Sequence, residues 1–227
     1  NDYIQEAREK FYQIARFPRC IGVIDCTHVK IQSPGGETAE LFRNRKGYFS
    51  MNIQTVVDAD LKIRAIVARW PGSTHDAHIF RNSTLYHRFE TGHFGNGLLV
   101  GDSGYPLKPY LITPLLQTNT EGERLFNESL IRTRNTVERA YGVWKRRFPA
   151  LAMGLRLNIN VTLSAIVASA ILHNIACDER DAVPLVSDIE EDAIVQSNNI
   201  YDGALPAIGA TSELNSLTRL NLINDYY

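Results

Sequence analysis

Apolar residues cluster or alternate through the first half of the chain as they do in β-strands. The stretch Cys20–Ile31 reads CIGVIDCTHVKI, and its apolar start predicts a buried strand that ends at Asp25. Residues 48–69 alternate apolar and polar positions around an Asp-Ala-Asp turn, which predicts a hairpin. The predicted strands span residues 20–25, 48–58, 61–69, 98–100 and 110–112.

Helical spacing dominates the rest of the chain. Apolar residues recur every three or four positions in Asp2–Ile14, and Ser73 or Thr74 can cap a helix over roughly His75–Phe89. Everything after Pro114 has helical periodicity until the tail, where the periodicity weakens and we expect a loosely held segment. The later helices are predicted at residues 121–148 and 160–179.

The order of these elements is a strand, a two-stranded hairpin, a helix, two strands and then helices. It predicts an α/β fold with a mixed sheet flanked by helices, the order found in the ribonuclease H-like fold. We expect three parts: an N-terminal helical remnant over 1–19, a catalytic domain over 20–179 and an acidic C-terminal tail over 180–227. The chain opens on Asn1 rather than Met, so we expect further residues upstream.

Composition places the chain among globular proteins. Of its 227 residues, 44% are hydrophobic, enough for a sizeable core, and the three cysteines form no CxxC pair. An odd number of cysteines argues against a disulfide framework and favours a reducing compartment. No signal peptide is visible. The most apolar stretch, Ile159–Cys177, contains polar residues throughout, which predicts a core helix rather than a membrane span.

Charge is distributed unevenly along the chain. The net charge is −1, but residues 1–177 contain 22 Lys and Arg against 15 Asp and Glu, whereas residues 178–227 contain 2 against 10. A basic body is typical of a protein with a polyanionic partner. Ordinary scatter of charge explains the same numbers equally well.

Three acids occupy positions that could bring them together. Asp25 and Asp102 follow two apolar runs, and adjacent parallel strands would carry both carboxylates to one sheet edge. Glu138 lies about 100° from Val137 around the long helix, at the border of its apolar stripe. Converging carboxylates repel unless a cation lies between them, and oxygen ligands favour Mg²⁺ or Mn²⁺. The simpler interpretation of Glu138 is a surface partner of a neighbouring arginine.

Further residues near these acids have two interpretations each. Asp76 is either an auxiliary metal ligand or an acid that favours the start of its helix. His28 and His75 could support the carboxylates as second-layer donors. Alternatively, these histidines and His78 could form a zinc site with Asp25 and Asp76.

Five sequence blocks occur in an order that identifies a family. They read IDCTHVKI, NRKGYFSMNIQTVVD, PGSTHDAHIF, GDSGYPL and NTVERAYGVWKRRF. Over about Phe17–Asp178 the chain resembles the DDE catalytic domain of PIF/Harbinger transposases and of the Harbinger transposase-derived nucleases. The resemblance implies a ribonuclease H-like fold, a divalent metal, DNA as substrate, a nuclear location and a triad of Asp25, Asp102 and Glu138. It also implies a separate Myb-like protein for DNA targeting. Cys26 is a departure, because family members more often read IDGTH.

Basic residues near the acids could contact DNA phosphates. They are Arg43, Arg45, Lys46, Arg134, Arg139 and Lys145. The sequence therefore predicts a DNA nuclease that uses Mg²⁺ or Mn²⁺ in a two-metal mechanism, with strand transfer as a further possibility. The alternative is a catalytically retired module that binds DNA or protein. The sequence leaves the target site, the native metal and the oligomeric state open.

Overall fold

A computed structural model of the chain describes residues 2–198 and 213–227. The strands, numbered β1 to β5 along the chain, are Cys20–Lys30, Ser50–Val57, Ile63–Pro71, Leu98–Val100 and Leu111–Ile112. The described helices, numbered α1 to α8, are Asp2–Ala15, Asp76–Arg81, Thr84–Glu90, Glu121–Arg147, Ala150–Met153, Ile159–Asp178, Asp188–Asn198 and Glu213–Tyr226.

The strands form one mixed sheet in the order β3-β2-β1-β4-β5. β1, β2 and β3 are antiparallel neighbours, whereas β4 runs parallel to β1 and β5 parallel to β4. Asp58 shapes the predicted hairpin turn, since its Oδ1 accepts hydrogen bonds from the backbone N–H groups of Asp60 at 2.9 Å and Lys62 at 3.0 Å. The predicted α/β class, with a mixed sheet flanked by helices, is confirmed.

β1 is longer than the sequence predicts. It continues to Lys30 because β2 pairs with it as far as the Lys30–Ser50 position. The expectation that the strand ends at Asp25 is therefore wrong. β4, in contrast, pairs with β1 only as far as Val23. The side of β1 next to Asp25 is thus left uncovered by a strand, and other elements can approach it there.

The helix expected over residues 75–89 is two helices. α2 ends at Arg81, and Ser83 caps α3 by accepting a hydrogen bond from the backbone N–H of Tyr86 at 3.1 Å. A serine hydroxyl that satisfies an orphan helix donor favours a new helix start over continuation. α2 is consequently short, and it begins at Asp76.

One face of the sheet carries most of the core, to which α1, α4 and α6 contribute Phe11, Trp144 and Ile166 among others. α6 has the length and mean hydropathy of a membrane-crossing helix. It nevertheless packs on β3 and α4, and the Asn174 amide exchanges two hydrogen bonds of 2.8 Å with the backbone of Ile63. One side of α6 therefore docks on the core as predicted, whereas Ile171, Leu172 and Ile175 on the rest of the helix are more than half exposed, so α6 is a core helix only in part.

The acidic tail is more ordered than expected in its described parts. α7 packs against α4, α5 and β1, and Glu191 pairs with Arg146. α8 adds Leu222 and Ile223 to the main core. The expectation of a loose tail is wrong for these two helices, because both bury apolar residues; residues 199–212 lie outside the described part. The division into three parts at residues 19 and 179 stays a prediction.

Candidate active site

Three aspartates from three different elements meet at the uncovered side of β1. Asp25, Asp76 and Asp102 each offer a carboxylate oxygen, and these oxygens lie within 4.8 Å of one another. Asp25 is 1% exposed and Asp102 8%. The predicted convergence of Asp25 and Asp102 is confirmed, and Asp76 is a full member of the cluster.

Backbone geometry holds two of these aspartates. The Asp25 Oδ1 accepts from the backbone N–H of Cys26 at 2.8 Å, and the Tyr141 hydroxyl donates to the Asp25 carbonyl at 2.8 Å. Asp102 lies two residues beyond β4, where its Oδ1 accepts from the backbone N–H of Gly104 at 3.0 Å. The strand and the turn therefore set where these carboxylates lie.

The three carboxylates lie close together, with Asp25 and Asp102 buried and Asp76 half-buried. Burial raises the pKa of Asp25 well above its ordinary value, and the nearby Asp102 raises it further. Burial likewise raises the pKa of Asp76, and burial together with Asp76 raises the pKa of Asp102 to about 6. Clustered acids with raised pKa values are typical of sites that bind cations or protons.

The donor set fits a hard divalent cation. Carboxylate oxygens are ligands that Mg²⁺ and Mn²⁺ prefer. The side-chain oxygen of Asn52, beside Asp76, is buried with no hydrogen-bond partner among the described residues. Buried acceptors are normally satisfied, and ordered water around a bound cation would satisfy this one. The residues present therefore suit Mg²⁺ or Mn²⁺.

Glu138 lies beside the cluster but outside it. Its Oε1 pairs with Arg134 Nη2 at 2.7 Å, while Arg134 Nη1 lies 3.5 Å from Asp25 Oδ2. The Glu138 side chain is 51% exposed. The arginine guanidinium thus stands between Glu138 and Asp25, which is the surface pairing that the simpler interpretation expects. A metal-binding role for Glu138 stays a prediction.

The histidines take no direct part in the cluster. His28 Nδ1 lies 2.9 Å from the Ser50 hydroxyl, and burial lowers the pKa of His28 to about 3. His75 Nδ1 lies 3.2 Å from Arg45 Nη2. Within residues 2–198 and 213–227, the one acidic or histidine cluster suited to a metal consists of aspartates. This composition argues against the zinc alternative, and the supporting roles of His28 and His75 stay predictions.

Lys145 is wrongly predicted as a DNA contact. It is completely buried, and its Nζ donates to the Thr27 hydroxyl at 2.6 Å and to Asn198 Oδ1 at 2.8 Å. Burial lowers its pKa to about 7. Lys145 is buried because α7 covers it, although the helical pattern of α4 places this residue at the edge of the core.

The remaining basic residues keep access to solvent. Arg45 is exposed beside His75, next to Asp76, and Arg139 is exposed on α4. Arg43 is bound to Glu40 and to the Gly47 carbonyl, and Lys46 donates to the Gln196 carbonyl at 3.0 Å. Arg45 and Arg139 are therefore the freest of the predicted DNA contacts.

Sequence reasoning assigned no role to two buried amides, those of Asn52 and Gln54. Asn52 Nδ2 donates to Asp76 Oδ1 at 3.0 Å, and Gln54 Nε2 donates to the Asp76 carbonyl at 3.2 Å. The sequence does mark these residues, because Ser50, Asn52 and Gln54 form a polar row on a strand whose other residues, apart from Thr55, are apolar. A buried polar row requires partners.

Known proteins resemble this chain over most of its length. A family model described as DDE superfamily endonuclease matches residues 24–174. HARBI1 of mouse, a protein named as a nuclease, is 34% identical over 178 residues, covering 77% of this chain and 51% of the relative. The ALP1-like protein of Arabidopsis thaliana is 30% identical over 194 residues, covering 78% of this chain and 48% of the relative.

The chain thus spans about half the length of these curated relatives. No solved structure matches it. The family match covers all three clustered aspartates, and the ordered sequence blocks and the sheet order agree with it. The chain therefore belongs to the DDE superfamily endonuclease family and is a relative of the Harbinger transposase-derived nucleases.

Proposed function

We propose that this chain is the catalytic domain of a DNA endonuclease that depends on Mg²⁺ or Mn²⁺. The observation that carries the proposal is the cluster of Asp25, Asp76 and Asp102, two of them buried and one half-buried, with carboxylate oxygens within 4.8 Å of one another, in a family described as endonucleases. Asp25, Asp76 and Asp102 would hold the cations, which when bound would supply an activated water and stabilisation of the leaving oxygen of a phosphodiester.

The chain's own residues have distinct parts in this proposal. Asp25, Asp76 and Asp102 supply the oxygen ligands. Glu138 would complete the set once the Arg134 guanidinium leaves Asp25, since that guanidinium contacts both acids. A displaced Arg134 would then be free to pair with a DNA phosphate.

DNA would lie across the surface that joins α4 to the start of α2. Arg139 is exposed on α4, Arg45 is exposed beside His75 at the start of α2, and Arg43 and Lys46 lie within two residues of Arg45. Contacts of this kind bind the phosphate backbone and carry no sequence preference. Sequence choice would therefore need protein surface beyond these contacts, and the proposal assigns it to a Myb-like partner. With DNA as the substrate, the proposal also includes a nuclear location.

A cleavage assay tests the proposal. Labelled DNA is incubated with the wild type in Mg²⁺, Mn²⁺ or EDTA, and with Asp25→Asn and Asp102→Asn. We expect cation-dependent cleavage that each substitution lowers by roughly 100-fold or more, the scale of one lost electrostatic group. Asp60→Asn, which removes an exposed carboxylate paired with Lys10, is the matched control and should cleave normally.

Two results would overturn the proposal. Cleavage that survives Asp102→Asn undiminished would show that the cluster is not the active site. DNA binding by a wild type that cleaves no substrate in either cation would indicate instead a retired module. Strand transfer is tested in the same reactions by looking for joined rather than cut products.

A further inference from the structure

We propose that Asn52 and Gln54, two amide side chains of β2, are positioning residues that hold Asp76 in the aspartate cluster. This inference rests on the proposed function, because it concerns the carboxylates that would bind the cation. Asp25 and Asp102 lie in or next to strands that the sheet fixes. Asp76 begins a six-residue helix outside the sheet. The position of Asp76 therefore depends more on side-chain contacts than the positions of Asp25 and Asp102 do.

Asn52 binds both the carboxylate and the loop that precedes it. Its Nδ2 donates to Asp76 Oδ1 at 3.0 Å and to the Thr74 carbonyl at 2.8 Å, and the residue is 1% exposed. Both partners are acceptors, so only the amide nitrogen can face them. One side chain therefore sets the position of Asp76 relative to β2.

Gln54 connects Asp76 to the turn after β4, which carries Asp102. Its Nε2 donates to the Asp76 carbonyl at 3.2 Å and to the Tyr105 hydroxyl at 3.0 Å. The backbone N–H of Tyr105 in turn donates to the Asp102 carbonyl at 3.3 Å. A single buried amide thus links the start of α2 to the turn after β4.

The backbone at Gly72 allows the loop that precedes Asp76 to pack closely on β2. A Cβ atom at Gly72 would lie 2.3 Å from the Ser50 hydroxyl and 2.7 Å from the Phe42 carbonyl oxygen, so only glycine allows so close an approach. The β2–β3 pairing also shifts register between Asn52 and Gln54. Irregular pairing of this kind changes the direction in which side chains point, and it is common near active sites.

These contacts explain the polar row that the sequence displays on a buried strand. Ser50 lies against Gly72, Asn52 binds Thr74 and Asp76, and Gln54 binds Asp76. Without Asn52 the Asp76 carboxylate would lose its amide donor, and without Gln54 the Asp76 carbonyl would lose one, while the repulsion from its acidic neighbours remained. We therefore expect the amides to set the affinity of the site for a divalent cation.

Mn²⁺ binding to the purified chain without DNA, measured by titration calorimetry, tests this role. Asn52→Leu and Gln54→Met keep the approximate size of each side chain and remove its donors. We expect each to weaken Mn²⁺ binding by about 10- to 100-fold, as substitutions of residues that orient metal ligands do. If Asn52→Leu fails to fold, Asn52→Ser, too short to reach both acceptors, replaces it.

Asn174→Leu is the matched control, since the Asn174 amide also holds a helix to a strand but lies in α6 on β3. It should lower the melting temperature and leave the Mn²⁺ affinity unchanged. In an Asp76→Asn background, Asn52→Leu should have little further effect on Mn²⁺ affinity, because Asn52 acts through Asp76.

Each result decides a separate point. Wild-type affinity in both Asn52→Leu and Gln54→Met would overturn the positioning role and leave the proposed nuclease function intact. A wild type that binds Mn²⁺ and loses affinity on these substitutions, but cleaves no DNA, would overturn the nuclease function alone. A wild type that binds no Mn²⁺ would overturn both.

Discussion

At the scale of single residues, Arg134 places a positive charge next to the aspartates. Its guanidinium lies 3.5 Å from Asp25 and 2.7 Å from Glu138, so it provides positive charge where a cation would bind. Such an arginine opposes cation binding by electrostatic repulsion and holds Glu138 away from the cluster.

Replacing Arg134 should therefore tighten cation binding. We expect Arg134→Gln to raise Mn²⁺ affinity by about five-fold, a coupling of ~1 kcal/mol, in calorimetry without DNA. Arg139→Gln, a matched change at an exposed arginine of the same helix, should have a much smaller effect. Adding Glu138→Gln to Arg134→Gln should remove part of the gain if Glu138 joins the site. Unchanged affinity in Arg134→Gln would contradict this account.

At the scale of elements, Lys145 joins three of them. It lies on α4, donates to Thr27 of β1 and to Asn198 of α7, and is completely buried. Burial of an ammonium favours its neutral form, which explains why its pKa is lowered to about 7. Attachment of α7 to the sheet is thus coupled to the loss of a proton from Lys145.

This coupling predicts a pH dependence of stability. Between pH 7 and about 10, the unfolded chain holds the Lys145 proton and the folded chain does not, so the wild type should gain stability as pH rises. The slope approaches ~1.4 kcal/mol per pH unit and disappears below pH 7. Urea unfolding at pH 7 and 9 measures it. Lys145→Met should lose this slope, whereas Lys30→Met, at an exposed lysine, should retain it; equal slopes in all three would refute the coupling.

At the scale of the whole molecule, the aspartate cluster costs the cation-free protein stability. The three clustered carboxylates repel, and the fold holds them together through the sheet, the turn after β4 and the start of α2. A ligand that binds only the folded state stabilises it by mass action. Binding of a cation is therefore linked to the stability of the whole domain.

Mg²⁺ should accordingly raise the melting temperature of the wild type, measured by scanning calorimetry against EDTA. Asp102→Asn should be as stable as the wild type or slightly more stable in EDTA, because one repelling charge is gone. Its gain from Mg²⁺ should be clearly smaller. Asp60→Asn, remote from the cluster, should respond to Mg²⁺ as the wild type does. Equal gains in Asp102→Asn and the wild type would count against cation binding at these aspartates.

Local patterns in the sequence determined the fold class, most elements and two of the three clustered acids, and they left Asp76 open between an auxiliary metal ligand and an acid at a helix start. Alternation marked the hairpin, and helical spacing marked α4 and α6, because side-chain burial follows the period of the backbone. Asp25 and Asp102 could be paired in advance since they lie at or after strands that a parallel arrangement brings side by side. The polar row of β2 was equally visible, although nothing local indicated what it would bind.

Tertiary structure alone decided the remainder. Asp76 joined the cluster because buried amides of β2 hold a short helix against the sheet, through contacts across 24 and 22 residues of chain. Lys145 became buried because α7, more than forty residues later, packs over it. Glu138 pairs with Arg134, one helical turn away, and does not join the aspartates. Each outcome depends on which distant surface covers a side chain, and that is set by packing of whole elements rather than by local periodicity.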